Sequence, residues 1–343
     1  MIDRTRRGCL AALAAGVMAT SLTLPANAQD DASYILATAT TGGTYYPVGV
    51  AIATLVKIKL EAAQHFTLSA ISSAGSAENI ALMRDGNVQF SILQGLYGAW
   101  AADGSGALAA DGPQANLRSV SMLWQNVEHF VLLSHMAPTG TIDDLGQIGD
   151  EPFAIGAKNS GTEGSGLTIL GNLGFDIEAM NLVDAGGYSS TADALQNGNV
   201  VGMNVPAGVP VSAMTRVAAA MGDTIRVLDF TDEQMARANG SFDGLWTRYV
   251  IPADTYPGQT AEIATVAQPN FLAVNADVSE EHVYLITKAM YENLDFLNNI
   301  HAATTVMALD KAIDGLPLPL HPGAIRYYEE VGLTIPDRLR PAN

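Results

Sequence analysis

The sequence predicts an α/β protein of two lobes, each built on a mainly parallel β-sheet. Two observations support this fold class. Short apolar segments alternate with helix-like stretches between residues 34 and 239, and such alternation is typical of parallel sheets covered by helices. After residue 239 the alternation ends, and residues 262–276 form one extended apolar segment, interrupted by Pro269.

The first half of the alternation contains five predicted strands. Each is a short run rich in β-branched, aromatic and other apolar residues. The first three strands precede predicted helices over residues 47–63, 76–85 and 97–102. The strands themselves are YILATA (34–39), FTLSAI (66–71), VQFSIL (88–93), LRSVSMLW (117–124) and HFVLLS (129–134).

The second half repeats the pattern with four more strands and their helices. The predicted strands are PFAIGA (152–157), AMNLVD (179–184), VVGMNV (200–205) and TIRVLD (224–229). Near the C-terminus, apolar residues at helical spacing predict one long helix over residues 279–300. Ser279 is its predicted N-cap, because Glu280 and Glu281 follow in the first turn.

The order of these elements predicts that the chain crosses between the lobes near residues 125–130 and 245–275. Lobe I is then formed by residues 29–127 and 250–343, and lobe II by residues 128–249. Ligands of open α/β sheets bind at the carboxyl ends of the strands. The predicted binding site is therefore the cleft between the lobes.

The first 28 residues have the features of an export signal. Three arginines within the first seven residues precede an apolar segment too short to span a bilayer well, and ANA at 26–28 fits a cleavage site. We expect cleavage after Ala28 and a periplasmic mature protein. Residues 5–10 also resemble a twin-arginine signal, so Sec and Tat export are both compatible with the sequence. A buried N-terminal helix is the alternative interpretation.

Charge and cysteine content exclude several classes of function. The chain has 17 Lys and Arg against 35 Asp and Glu, a formal net charge of −18, which argues against nucleic acids and anionic membranes as partners. The single cysteine, Cys9, lies in the predicted signal, so the mature chain has no disulfide. The sequence contains no HExxH motif, Cys–His cluster or GxSxG motif, and we expect no catalytic residue, metal or cofactor.

The segment TTGGTYYP at residues 40–47 is the first candidate ligand-binding loop. It follows the first predicted strand and opens the first predicted helix. Its small residues let the backbone approach a ligand, and the free N–H groups of a helix start favour an anion. Tyr45 and Tyr46 offer ring faces with a polar tip. From these residues alone, a binding loop and an ordinary tight turn are equally compatible.

The segment KNSGTEGSG at residues 158–166 is the counterpart in lobe II. It also joins a predicted strand to a predicted helix. Ser160 or Thr162 is expected to cap that helix or to offer a hydroxyl to a carboxylate, while Gly161 offers its N–H. Two loops of one type, one on each lobe, strengthen the prediction of a ligand cleft.

Further turns occupy equivalent positions. SSAGSAEN at residues 72–79 precedes a predicted helix, with Ser76 as its expected N-cap. Gln94 ends a predicted strand and is expected to face the same cleft. In lobe II, residues 186–189 and 204–208 take the corresponding places.

Six segments, in order, resemble the TAXI family of solute-binding proteins of TRAP transporters. The likeness as a whole extends over essentially residues 34–333, and the TGGTYYPVG-like loop is the hallmark among the segments. The segments are ATTGGTYYPVGVAIATLV (39–56), SSAGSAENIALMRDGNVQFSILQ (72–94), NVEHFVLL (126–133), AIGAKNSGTEGSG (154–166), VIPADTYPGQ (250–259) and LPLHPGAIRYYEEVGL (318–333).

The resemblance implies a type II periplasmic-binding-protein fold in a monomer that needs no cofactor. It implies capture of a small organic acid or amino acid, of the glutamate, glutamine or 2-oxoglutarate type, and delivery to a TRAP membrane permease. Carried over residue by residue, the implied ligand-binding residues are Thr41, Gly43, Thr44, Tyr45, Ser76, Gln94, Ser160, Gly161, Thr162, Tyr188, Asn204 and Pro206. The family varies near Asn204, so this position is expected to tune ligand choice.

The chain departs from related patterns in two ways. Asn159 stands where the family has a glycine, which puts the shape of its loop in question. None of the predicted loops contains an arginine, whereas TRAP binders of the other main class hold a carboxylate with one. Arg248 and Lys158 are the nearest basic residues, and we expect a structural or solvated role for each.

Two other functions are compatible with such a fold. One is a sensory ligand-binding protein, and the other is an enzyme. Export and the lack of a base–nucleophile pair count against the enzyme. A signal followed by no transmembrane segment argues against a built-in receptor.

Overall fold

The computed structural model describes residues 32–341, and the predicted signal peptide at residues 1–28 lies outside them. The described chain belongs to one compact unit that contains two β-sheets. Its strands are β1 (Ala32–Ala37), β2 (Phe66–Ile71), β3 (Phe90–Gln94), β4 (Leu117–Val127), β5 (Phe130–Leu133), β6 (Phe153–Ala154), β7 (Leu182–Val183), β8 (Gly202–Asn204), β9 (Ile225–Val227), β10 (Thr247–Ile251) and β11 (Ile263–Asn275).

Helices connect most of these strands. They are α1 (Tyr45–Val56), α2 (Ala62–Gln64), α3 (Ser76–Arg84), α4 (Gly95–Asp103), α5 (Gly161–Leu173), α6 (Tyr188–Gln196), α7 (Ser212–Met221), α8 (Asp232–Ala238), α9 (Glu280–Glu292), α10 (Leu294–Ile300) and α11 (Pro322–Glu330). A π-helical turn, Lys57–Glu61, joins α1 to α2. Across residues 32–341, no helix combines the length and apolarity needed to cross a membrane.

The first sheet has the strand order β10-β11-β3-β1-β2, and β4 also pairs with β11. Strand β1 runs parallel to β2 and β3, whereas β11 runs antiparallel to β3, β4 and β10. Phe66, Phe90 and Ile92 are fully buried in its core. Strands this continuously apolar are typical of a sheet covered on both faces.

The second sheet repeats this arrangement, with the order β7-β6-β8-β5-β9. Three parallel strands, β7, β6 and β8, are followed by the antiparallel β5. The chain enters this sheet between the end of β4 at Val127 and the start of β5 at Phe130, and it re-enters the first sheet at β10. These positions are where the sequence predicts the crossings, while the lobe boundaries themselves stay a prediction.

Residues 279–300 do not form the single long helix that the sequence predicts. Asn293 separates α9 from α10, with a non-helical backbone at φ −134° and ψ 38°. Its side-chain amide donates to the Ala289 carbonyl at 2.8 Å. An asparagine side chain that bonds to the preceding turn competes with the backbone for that carbonyl, and the helix breaks there. The predicted N-cap is confirmed, because the Ser279 hydroxyl accepts the N–H of His282.

Candidate functional site

A cavity with an empty volume of about 480 Å³, its open mouth included, lies where loops of the two sheets meet. Its wall is formed by the segments that follow β1 and β2 and the ends of β3 and β4 in the first sheet, and by the segments that follow β6, β7 and β8 in the second. This is the position at which open α/β sheets bind ligands. Ten of the twelve predicted site residues line it: Gly43, Thr44, Tyr45, Ser76, Gln94, Ser160, Gly161, Thr162, Tyr188 and Pro206.

The other two predicted residues do not belong to this wall. Thr41 is exposed and is not among the residues that line the cavity. Asn204 is only 1% exposed, and its amide donates to Oε2 of Glu128 at 2.9 Å. Direct contact of Thr41 or Asn204 with a ligand stays a prediction, and the set of lining residues does not support it.

Five helices begin at the cavity. Their first residues or N-caps line the wall, and these helices are α1, α3, α4, α5 and α6. A helix start has unpaired N–H groups and the positive end of the helix dipole. Among the described residues that line the cavity, none carries a charge. The arrangement therefore favours an anionic group without a cationic side chain.

The TTGGTYYP loop is held against the second sheet's loops by its backbone and its hydroxyls. The Thr44 hydroxyl donates to the Gly208 carbonyl at 3.1 Å, and the Gly42 carbonyl accepts the N–H of Ala213. Gly42 has φ 90°, which glycine adopts at no cost. The Tyr45 hydroxyl donates to Oδ1 of Asn270, so its proton already has a partner within the protein.

The KNSGTEGSG loop forms the opposite wall. Ser160 is the N-cap of α5, as predicted, because its hydroxyl accepts the N–H of Glu163 at 3.1 Å. The hydroxyls of Thr162 and Tyr188 lie 2.8 Å apart, and Tyr188 also donates to the Pro206 carbonyl. Both hydroxyls thus have partners within the wall.

Asn159 stands where the resemblance to the TAXI family leads us to expect a glycine. Its φ is 63°, in the left-handed region that glycine favours. Asparagine adopts this region more readily than other residues with a side chain. The loop shape questioned by the sequence is therefore accessible to the residue that stands there.

Ser76 does not cap α3, contrary to the sequence prediction. The N-cap is Gly75, with φ 128°, and Ser76 is the first helical residue. The Ser76 hydroxyl accepts the N–H of Gln94 at 3.1 Å instead. It fixes the end of β3 beside the start of α3, which brings Gln94 to the wall.

Replacing Ser160 with alanine is expected to lower the free energy of unfolding by about 1 kcal/mol, because α5 loses its side-chain cap. Urea unfolding of the two proteins measures the difference. Ser189→Ala is the matched control, since Ser189 lies in the first turn of α6 without capping it. Equal losses for both variants would contradict the role of the cap.

Behind the wall lies a buried carboxyl group, Glu128, that the sequence did not identify. Desolvation raises the pKa of Glu128 to about 7, although the hydrogen bond from Asn204 and the nearby polar groups of Ser165 and Trp246 oppose the rise. Its neighbour His129 is also fully buried, and desolvation lowers the pKa of His129 to about 4. Its Nε2 lies 2.8 Å from the Tyr256 hydroxyl.

Thr40, which belongs to the predicted loop at residues 40–47, lines the cavity, and so does Asn126, which the sequence does not identify. Asn126 lies in NVEHFVLL, one of the segments that resembles the family. From the sequence, this segment is predicted only to be a crossing between the lobes. A polar residue at the end of an otherwise apolar strand was the available signal.

The two basic residues nearest to the predicted loops do not line the cavity. Arg248 donates to the Phe230 carbonyl and pairs with Asp232, each at 2.6 Å. The backbone N–H of Lys158 is bonded to Asp184. Arg248 therefore has the structural role that the sequence predicts.

Several solved structures share this fold. MatC from Rhodopseudomonas palustris, solved with bound malate, matches 87% of this chain and 98% of its own, with a TM-score of 0.54 and 14% identity. A protein of Bordetella bronchiseptica RB50 matches 89% of this chain and 85% of its own, with a TM-score of 0.52 and 12% identity. The periplasmic aliphatic sulphonate binding protein SsuA from Escherichia coli matches 87% and 83%, with a TM-score of 0.45 and 14% identity.

Identities this low concern the fold alone. The α/β fold with two sheets, which the sequence predicts, is confirmed. At the level of sequence, a match to a protein family extends over residues 36–332, which is most of the chain. The chain therefore belongs to the NMT1-like family.

Proposed function

We propose that this protein is the extracytoplasmic solute-binding protein of a TRAP-type transporter of the TAXI class. It captures a small organic acid or amino acid, closes around it and delivers it to the membrane permease. The observation that carries this proposal is the convergence of five helix starts, from both sheets, on one uncharged cavity. The signal sequence and the six family-like segments support export and the transporter class.

The wall holds a carboxylate by backbone N–H groups. Each helix start contributes part of a positive charge and up to four unpaired donors. A buried carboxylate needs such partners, because an unpaired buried charge is strongly unfavourable. The uncharged wall also releases its ligand more easily than a wall with a paired cation, as a transport protein requires.

Ligand binding and cleft closure are coupled in this proposal. Hydrogen bonds already join helices on the first-sheet side to the loop before α5: the Tyr97 hydroxyl in α4 donates to the Ser160 carbonyl at 3.2 Å, and the Glu78 N–H in α3 donates to the Asn159 carbonyl at 3.1 Å. A ligand that contacts both walls favours this closed arrangement over an open one. Residues 29–127 with 250–343, and residues 128–249, are the proposed moving lobes.

A ligand screen tests the proposal. We expect at least one of glutamate, glutamine, 2-oxoglutarate and malate to raise the melting temperature of the mature protein, and none to be chemically converted. A ligand at one hundred times its Kd stabilises the folded state by about 2.7 kcal/mol, which a thermal-shift assay detects readily. Malate is included because MatC was solved with it.

The possible results separate the alternatives. No shift with any small carboxylate or amino acid would contradict the ligand class. Conversion of the bound compound, followed by NMR, would favour an enzyme. Uptake of the identified ligand into vesicles that contain the permease, only when the binding protein is added, would distinguish transport from sensing.

A further inference from the structure

The floor of the cavity carries a buried layer of carboxamides. Gln94 pairs with Asn270 between β3 and β11, and Asn126 pairs with Gln268 between β4 and β11. Directly opposed residues share a face of the sheet, as do residues two apart in one strand. The four side chains therefore lie on one face, and we call Gln94, Asn126, Gln268 and Asn270 the amide layer.

Two members of the amide layer are tied to their surroundings. The side-chain oxygen of Gln268, Oε1, accepts the N–H of Leu96 at 2.7 Å, and the side-chain oxygen of Asn270, Oδ1, accepts a hydrogen bond from the Tyr45 hydroxyl. Neither residue lines the cavity. These bonds fix the layer as part of the fold, at the place where α4 begins.

In Gln268 and Asn270 only the side-chain nitrogen lacks a hydrogen-bond partner in the protein. Asn126 differs from both. It lines the cavity and is only 1% exposed, yet both its Oδ1 and its Nδ2 lack a hydrogen-bond partner in the protein. The Oε1 of Gln94, which also lines the cavity, lacks one too. A buried polar group left unpaired costs about 1–3 kcal/mol, so native proteins rarely retain one without a reason. The geometry calls for a partner that enters the cavity.

The surroundings of Asn126 limit the chemistry of that partner. No lysine, arginine or histidine is found among the described lining residues. The carboxyl group two residues on, Glu128, has one unpaired oxygen of its own, and its other oxygen accepts from Asn204. A second ligand carboxylate at this end would be desolvated with no cation to pair with it.

Resting on the proposed function above, we propose that Asn126 binds the uncharged polar end of the ligand and selects a carboxamide over a carboxylate there. A ligand carboxamide both donates and accepts, so it pairs with Oδ1 and Nδ2 of Asn126 together. A carboxylate only accepts, which leaves Oδ1 unpaired. The other end of the ligand, its carboxylate, lies at the helix starts.

Calorimetry with two matched pairs of probes tests this assignment. Glutamine is compared with glutamate, and succinamate with succinate, on the mature wild-type protein and on Asn126→Leu. We expect the wild type to bind the amide of each pair about tenfold or more tightly than the carboxylate. The reason is that a bound carboxylate leaves the buried Oδ1 of Asn126 without a hydrogen-bond partner. The leucine variant should lose that preference and bind the amide about tenfold more weakly.

The unliganded melting temperature separates a binding role from a structural one. Leucine has a similar size and removes two unpaired polar atoms, so Asn126→Leu should melt no lower than the wild type. Asn126→Ala provides a second variant with the same expected loss of preference, should leucine not be accommodated.

Each result has a distinct meaning. Wild-type protein that binds a probe, with both variants keeping its affinity and preference, would overturn the role of Asn126 alone. A wild-type preference for the carboxylates would overturn the proposed selectivity. Wild-type protein that binds 2-oxoglutarate or malate but none of the four probes would overturn this inference and leave the proposed function standing; no binding of any of these compounds would overturn both.

Discussion

Gly164→Ala is expected to weaken ligand binding by roughly ten- to a hundredfold while the protein stays folded. A Cβ atom at Gly164 would lie 2.8 Å from two ring carbons of Tyr97 and still nearer to its hydroxyl oxygen. Gly164 belongs to α5, on the second-sheet side of the cavity, and Tyr97 to α4, on the first-sheet side. Because neither residue lines the cavity, the ligand contacts themselves are unchanged.

The clash can be relieved only by separating the two sides or by moving a ring that is 2% exposed. Overpacking of this kind costs about 1–3 kcal/mol. Here it destabilises the closed conformation only, because the clash is absent when the cleft is open. The variant should therefore shift the equilibrium away from the closed, binding-competent arrangement. Its affinity for the ligand found in the screen is measured by calorimetry, and its closure by small-angle scattering with and without that ligand.

The same helix supplies the matched control. A Cβ atom at Gly171, also in α5, would meet nothing within 4 Å. Gly171→Ala should leave the affinity unchanged and raise helix stability by up to about 1 kcal/mol. Equal affinities for Gly164→Ala and the wild type would show that contact between α4 and α5 is not required for binding.

Much of the candidate site could be predicted because its determinants are local. The loops at residues 40–47 and 158–166 are recognisable from small, hydroxyl-bearing residues between an apolar strand and a helix. The Ser160 cap depends only on Glu163, three residues away. The backbone of Asn159 depends on the intrinsic freedom of asparagine. Features of this kind are encoded within a few neighbouring residues.

The remaining features depend on parts of the chain that are distant in sequence. The sequence predicts that the Ser76 hydroxyl caps its own helix. In the structure it accepts the N–H of Gln94 instead, because β3 brings that residue beside it. Asn126 reaches the cavity only because β4 pairs with β11, more than a hundred residues later. Strand β10 was not predicted at all, and its place is set by pairing with β11. Local patterns carry no information about such pairings.

Glu128→Gln is expected to change how the stability of the protein depends on pH. The pKa of Glu128 is raised by desolvation from 4.5 to about 7. Between these values the folded protein holds a proton that the unfolded chain releases, so the contribution of this group to stability falls as pH rises. Over the whole window the loss amounts to roughly 3 kcal/mol.

His129 acts in the opposite direction and conceals this slope in the wild type. Its pKa is lowered by desolvation from 6.5 to about 4. Between those values the unfolded chain holds a proton that the folded protein lacks, so stability rises with pH. The two slopes nearly cancel between about pH 4.5 and 6.5. Tyr45 and Tyr188, which also interact with Glu128, have raised pKa values and stay neutral throughout.

Glutamine keeps the shape of Glu128 and an oxygen for the Asn204 amide, but it does not titrate. The variant should therefore gain stability relative to the wild type as pH rises from 5.0 to 7.5, by roughly 3 kcal/mol. Urea unfolding at the two pH values gives the comparison. Glu262→Gln, at an exposed position, should stay within about 0.5 kcal/mol of the wild type at both. A constant difference between Glu128→Gln and the wild type would mean that this carboxyl group does not take up a proton on folding. Glu128 would then be buried with its charge in the folded protein, and the side chains of Asn204, Ser165 and Trp246 would have to stabilise that charge.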